Sequence, residues 1–248
     1  MVKLNKLAEY LDHYLAIDEI EDDCWNGLQI EGSPDVNKVV FAVDASIDAF
    51  KKAADSGANL IIVHHGHFWK SYNPSLVQWS KKRIDELIEM KISLYACHLP
   101  LDRHKKVGNN AQLLKLLGAS IKSEFRQVDG KNIGWIGEAR QPLSIQEVNN
   151  ILSRQLKANC IVLPFGKKVI KTIAVCSGSG GYDGFYEAML RRVDLYITGD
   201  TIEIYSTAKD AEMNIVFAGH YATETIGLKA LSEIVRRVFR VEIIFIDR

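Results

Sequence analysis

Three histidines fall within four residues at the end of an apolar run, Ile61-Ile62-Val63-His64-His65-Gly66-His67. Imidazole is the commonest metal ligand among side chains, so the stretch is a candidate for metal chemistry. Leu60 to Val63 has the composition of a buried strand, and the chain breaks at Gly66. In open α/β sheets ligands bind just beyond the carboxyl ends of strands, where His64 and His65 would stand. Adjacent side chains on a strand point to opposite faces. Two neighbouring histidines are then poorly placed to grip one ion together. Either each holds one ion of a pair, or one of them is structural.

Other strand ends offer further donors. His98, Asp102 and His104 follow one apolar run, and His220 and Glu224 follow another. The spacing His220-x-x-x-Glu224 puts both side chains on one face of a helical first turn. There a carboxylate can bridge two ions while the histidine binds one, and Asp102 has the same capacity from the other half of the chain. A nitrogen and oxygen donor set without thiolate suits Fe, Mn, Zn, Co or Ni, and the affinity order does not choose among them. Each residue alone has a plainer reading as a cap or a hydrogen-bonded side chain. His13 reads as solvated on the first helix, and His67 as packed beside Phe68 and Trp69. His98 carries two readings. It is a proton donor or acceptor beside the metals, with His104 the weaker candidate for that role, or it orients Asp102 through a hydrogen bond. Ser177-Gly178-Ser179-Gly180-Gly181 is likewise either a phosphate cradle before a helix or a tight turn. Asp183 breaks the G-x-G-x-x-G pattern, and no Walker A motif occurs.

The elements that must position these groups come in two rhythms. Helical spacing covers residues 3–16, and a loop with turn signals at Asn26-Gly27 and Gly32-Ser33-Pro34 follows. Strands at 38–43, 60–63 and 92–97 alternate with helices at 46–56 and 75–90, and a short helix spans 108–117. A hairpin centred on Asp129-Gly130, a helix at 143–156 and a strand at 161–163 come next. The first rhythm then returns. Strands at 172–176, 195–197 and 215–218 alternate with helices at 184–191 and 202–211, and a helix at 223–237 and a strand at 241–246 close the chain. The pattern predicts an α/β protein of two α/β domains related by a pseudo-repeat, 1–126 and 127–248, with the metal site between them. The last elements are free to pack back on the first domain.

Bulk properties exclude several classes. With 248 residues and 47% apolar content, each half has enough material for its own core. Lys plus Arg and Asp plus Glu both total 31, so the chain as a whole is not an electrostatic binder of nucleic acid or membranes. No apolar run approaches the roughly 20 residues that span a bilayer, and the first residues lack a signal-peptide core. Cys24, Cys97, Cys160 and Cys176 form no C-x-x-C pair and read as buried thiols of a cytoplasmic protein.

The motifs together resemble a family. Asn26-Gly27-Leu28-Gln29, Ile62-Val63-His64-His65-Gly66, His98-Leu99-Pro100-Leu101-Asp102, Gly108-Asn109-Asn110, Cys176-Ser177-Gly178-Ser179-Gly180-Gly181, Thr198-Gly199-Asp200 and Gly219-His220-Tyr221-Ala222-Thr223-Glu224 cover nearly the whole chain. They are similar to the dinuclear-metal-centre proteins called GTP cyclohydrolase I type 2 homologues or NGG-interacting-factor-like proteins. The resemblance implies two divalent metal ions held by His64, His65, Asp102, His220 and Glu224. It also implies two interlinked three-layer-type α/β domains and a homo-oligomer, a toroidal hexamer. His67 is outside the implied ligand set. Asp200 stands where many relatives carry glutamate; aspartate keeps the charge but shortens the reach. The chain is too short for the extra mid-chain domain of the longest members.

Three functions follow from these expectations. The first is metal-dependent hydrolysis of a nucleotide or related compound, which the family label narrows to attack on the guanine imidazole ring of GTP with loss of formate. The second is a dinuclear phosphohydrolase using the same ligands. The third is sequence-independent binding of single- or double-stranded DNA by an oligomer whose metal site is structural or vestigial. Lys81-Lys82-Arg83, Lys167-Lys168, Arg191-Arg192 and Arg236-Arg237 would supply the phosphate contacts for it.

Overall fold

The computed structural model describes all 248 residues, and by packing they form two compact units, 1–101 with 228–248, and 102–227. In the first unit a five-stranded sheet runs in the order Glu242–Phe245, Lys38–Asp44, Leu60–His65, Ser93–Ala96, Gly27–Ile30. The first four strands are parallel and the last is antiparallel to its neighbour. Val39 to Val43 and Leu60 to Val63 are buried throughout. Such unbroken apolar runs, rather than alternation, mark parallel strands covered on both faces. The helix Ile47–Asp55 starts where the Ser46 hydroxyl accepts the Ala49 N–H. Its buried face, Ala49, Phe50 and Ala53, packs into one core with Val40, Ala42, Ile61 and Val63.

The second unit holds a six-stranded sheet in the order Ala119–Val128, Lys131–Leu143, Ile170–Cys176, Leu195–Thr198, Asn214–Phe217, Ile161–Pro164. Its third to fifth strands are parallel and the flanking strands antiparallel. The helix Ile145–Leu156 begins with a capping box between Ser144 and Glu147. Val148, Leu152 and Leu156 pack with Trp135, Ile173, Val175 and Ile197. Both units therefore share one motif. Three parallel strands, adjacent in space and consecutive in the motif, are bordered at the third strand by an antiparallel one. No helix is long and apolar enough to cross a membrane.

Several elements differ from the periodicity. The strand Gly27–Ile30 lies inside the expected loop and pairs with Ser93–Ala96 through a bulge. Four residues entered through Gly27 at φ +98° are too few for a periodic signal. The hairpin at Asp129-Gly130 joins strands of ten and thirteen residues. Both turn residues have positive φ, as a two-residue turn matching strand twist requires. The last helix begins at His220 rather than 223, because Gly219 at φ +88° turns the chain directly into it. A short helix, Leu99–Arg103, fills what reads as loop. The break between units falls at 101/102, ahead of the expected 126/127. Ala119–Val128 pairs along its length with Lys131–Leu143 and so belongs to the second sheet. The final strand returns to the first sheet beside Lys38–Asp44.

Candidate metal centre

In the first unit the strand ends bring three imidazoles together. His64 and His65 are the last residues of their strand, and His98 follows the neighbouring strand by two residues. The ring centroids lie 4.9 Å apart for His64 and His65, 5.0 Å for His64 and His98, and 5.6 Å for His65 and His98. One ligand atom from each lies within 4.8 Å of the others. The divergence expected of neighbours on extended backbone is therefore reduced where the strand ends, and the two rings approach.

Each ring is fixed through Nδ1. His64 Nδ1 donates to the Cys97 carbonyl oxygen at 2.8 Å. A carbonyl only accepts, so the proton sits on Nδ1 and Nε2 is the nitrogen with a lone pair. His65 Nδ1 meets Asp44 Oδ1 at 2.8 Å, and the sheet register explains why, since Asp44 lies directly opposite His65. His98 Nδ1 lies 2.9 Å from Asp22 Oδ1, and the Asn26 side-chain oxygen accepts the His98 N–H at 2.7 Å. Asp22 also accepts the Asn26 amide and the Leu99 N–H. Burial pushes the carboxyls of Asp22 and Asp44 up, but the hydrogen bonds and charge of their partners outweigh it, and both lie below the usual carboxylate range. Carboxylates and carbonyls that hold Nδ1 orient the opposite nitrogen of a metal-ligating histidine and raise its basicity.

The second unit supplies the carboxylate-rich set. Its three parallel strands end in register, Cys176 opposite Thr198 and Thr198 opposite Phe217. His220 and Glu224 lie on the first turns of one helix, with His220 Nε2 3.0 Å from Glu224 Oε1 and His220 Nδ1 2.9 Å from Asp200 Oδ2. The hydrogen bond and charge of Glu224, reinforced by Asp200 and opposed by burial, raise the His220 pKa to about 9. A proton held between imidazole and a buried carboxylate occupies the position a cation would take. Asp102 is buried, and its Oδ1 accepts the Asn109 amide at 2.8 Å and the Ser177 hydroxyl at 2.9 Å.

The glycine-rich loop at 177–181 is a tight turn. Its N–H groups at Ser177, Gly178 and Gly180 donate to Asn110, Thr223 and Thr198, so none of the three is left for a phosphate. The Gly178 carbonyl oxygen accepts from Gly199 and Asp200, so the loop ties two strand ends together. A Cβ at Gly178 would meet Glu224 Oε1 at 2.3 Å and His220 Nε2 at 3.2 Å.

The remaining histidines take their plainer readings. His67 is buried, bonds the Ser80 hydroxyl at 3.1 Å and packs edge-on against Phe68 and Trp79. His104 Nδ1 accepts the Lys106 and Val107 N–H groups. His13 is exposed. The four cysteines are free thiols, and burial raises Cys24 and Cys176 to about 12, far from the thiolate a metal needs. Sequence reasoning missed Asp22, Asn26 and Asn109 as supports and left Asp200 without a role. Asp44 was visible only as the end of a strand.

The fold and these donors define a class, an α/β protein whose parallel strand ends carry imidazole and carboxylate groups that are candidate metal ligands. The donor chemistry fits a divalent ion, because imidazoles fixed at Nδ1 and buried carboxylates are hard-to-borderline ligands. The model of the family Duf34/NIF3 (NGG1p interacting factor 3) matches residues 2–248, and the chain belongs to that family. It is 44% identical over 247 residues, 98% of this chain and 97% of the relative, to a GTP cyclohydrolase 1 type 2 homolog of Pyrococcus horikoshii. Among solved structures it is similar to protein ybgI, described as of unknown function, with TM-score 0.92 and 34% identity over 100% of this chain and 98% of that one. It is also similar to TTHA1606 from Thermus thermophilus, with TM-score 0.86, 34% identity and the same coverage.

Proposed function

We propose that the chain is a dinuclear divalent-metal protein that hydrolyses a nucleotide or related compound. His64, His65, Asp102, His220 and Glu224 hold the ions. The observation that carries the reading is the fixing of His64, His65 and His220 through Nδ1 by a carbonyl or carboxylate, an arrangement that aims the other nitrogen. When bound, a pair of divalent ions supplies Lewis acidity and an activated water to an electrophilic carbon or phosphorus. Asp44 and Asp200 hold the imidazole tautomers, while Asn109 and Ser177 hold Asp102 Oδ1. His98, fixed by Asp22 and adjoining both histidines, is placed to move a proton at Nε2.

The test is elemental analysis followed by a turnover screen. Purified protein should carry about two divalent ions per chain. The double substitution His64→Ala with Glu224→Ala should remove them, and unchanged metal content would end the proposal. GTP, other nucleotides and simple phosphoesters, each with Mn, Fe, Co, Ni or Zn, then separate the chemistries. Formate release from GTP supports ring opening, phosphate release supports the phosphohydrolase, and no turnover with any metal removes hydrolysis.

DNA binding has less support. Lys81 pairs with Asp85, Lys167 with Asp194, Arg191 with Glu187 and Arg236 with Glu233, so one cation of each basic cluster is offset by a neighbouring carboxylate. Retention on DNA that falls steeply from low to moderate salt would revive it. The ring assembly is part of the same proposal, and light scattering that reports a hexamer rather than a monomer supports it.

A further inference from the structure

Three of the four tryptophans in the chain line a single cavity of about 470 Å³ in the first unit. Trp25, Trp69 and Trp79 form it with Phe68, Tyr72 and His67. The size falls within the roughly 300–1,000 Å³ of small-molecule sites. Trp25, Tyr72 and Trp79 remain 57%, 61% and 58% exposed, so these side chains lie largely outside the core. Trp69 is fixed, its indole N–H donating to the Gly66 carbonyl oxygen at 3.0 Å. Its ring stands 5.1 Å from His98 and 6.2 Å from His65, centroid to centroid, so the aromatic lining is continuous with the three-imidazole cluster. Cations flank the lining, with Lys70 5.9 Å from the Trp25 ring centroid and Arg83 5.1 Å from that of Trp79.

We propose that this cavity is the binding site for a planar heteroaromatic ring bearing an anionic group, stacked on the tryptophans with its edge toward His65 and His98. Aromatic faces recognise rings of any substitution, because every such ring has a π-face. A flat ring also stacks on an indole face that an aliphatic chain covers poorly. Lys70 and Arg83 supply positive charge at the rim for a phosphate or carboxylate substituent. The placement beside the histidines gives the pocket its meaning. It holds the substrate so that the edge of its ring lies toward the proposed metal ligands. The pocket binds its ring with or without metal, and only its catalytic purpose rests on the hydrolase reading above.

The experiment is calorimetric titration of the purified protein with adenosine 5′-monophosphate and guanosine 5′-monophosphate, against ribose 5-phosphate as the ring-free control. The mononucleotides should bind and the control should bind far more weakly. Trp25→Ala and Trp79→Ala, both at exposed side chains, should each weaken mononucleotide binding by about 5- to 150-fold. Trp79→Phe should recover most of that loss. Equal binding of ribose 5-phosphate, or alanine variants that bind like the parent, overturns the proposal. If the variants instead change the mass of the assembly in sedimentation with mononucleotide affinity unaltered, the aromatic patch is a protein contact and the proposal also falls. Metal content measured on the same samples separates the two ideas. A metal-loaded protein that ignores the ring sinks only the pocket, and a metal-free protein that binds it sinks only the metal centre.

Discussion

Replacing Gly178 by alanine tests whether the glycine loop shapes the proposed metal ligands. Two effects separate cleanly. Gly178 has φ +59°, and an alanine held there costs about 1–2 kcal/mol. Its Cβ would also lie 2.3 Å from Glu224 Oε1, whereas real Cβ atoms essentially never come within 3.0 Å of such a neighbour. The carboxylate must therefore retreat by about 0.7 Å, beyond the roughly 0.5 Å tolerance of a functional constellation. Gly181 provides the control. It has φ +60°, and a Cβ there meets nothing within 4 Å. Both variants should lose about 2–8 °C in Tm, at roughly 2–4 °C per kcal/mol for a chain of this size. Only Gly178→Ala should lose metal, with affinity down on the order of 10- to 100-fold in competition with a chromogenic chelator. If Gly178→Ala binds metal like the parent, or if Gly181→Ala loses it equally, the link from loop to Glu224 is wrong.

Asp44→Ala should lower metal affinity about 10- to 100-fold by releasing His65 Nδ1, and Asp44→Asn, which keeps an acceptor, should lower it less; chelator competition that ranks the two the other way counts against the orienting role. Asp194 bears on stability rather than on the site. Burial pushes its carboxyl up, but Lys167 and hydrogen bonds from Thr172 and Lys171 outweigh burial and hold it below the usual range. A depressed folded pKa contributes stability that is complete above the unfolded value near 3.9 and is lost as pH falls through the folded one. Asp194→Asn should therefore lower Tm at pH 7, and the gap to the parent should close below about pH 4; a gap that persists unchanged in acid contradicts this reading. Asp194→Ala should cost more at neutral pH, about 1 kcal/mol, because it removes the acceptor of the part-buried N–H groups of Lys171 and Thr172.

Much of the architecture was legible in the chain because burial on both faces writes itself into composition. The short, β-branched apolar runs at 39–43 and 60–63 read as inner parallel strands, and glycines or polar residues mark where they stop. Elements held by a partner rather than by their own pattern were not legible. Gly27–Ile30 becomes a strand because Ser93–Ala96 offers it an edge. The last helix begins three residues early because the Gly219 backbone permits the turn. The unit boundary moved for the same reason, since pairing of Ala119–Val128 with Lys131–Leu143 is a long-range fact.

The candidate site divides along the same line. Residue type and position at strand ends are properties of the chain, and they singled out His64, His65, His98, Asp102, His220 and Glu224. Which nitrogen of each imidazole faces outward is not such a property. It depends on what Nδ1 meets: the Cys97 carbonyl oxygen, Asp44 across a register pair, Asp22 from a segment 76 residues away, and Asp200 at the next strand end. Sequence alone determined that this chain is an α/β protein with candidate metal-ligand residues at its strand ends. Only tertiary structure decided the tautomers, the supporting carboxylates and the turn character of the glycine loop, because hydrogen bonds between residues distant in sequence leave no periodic trace.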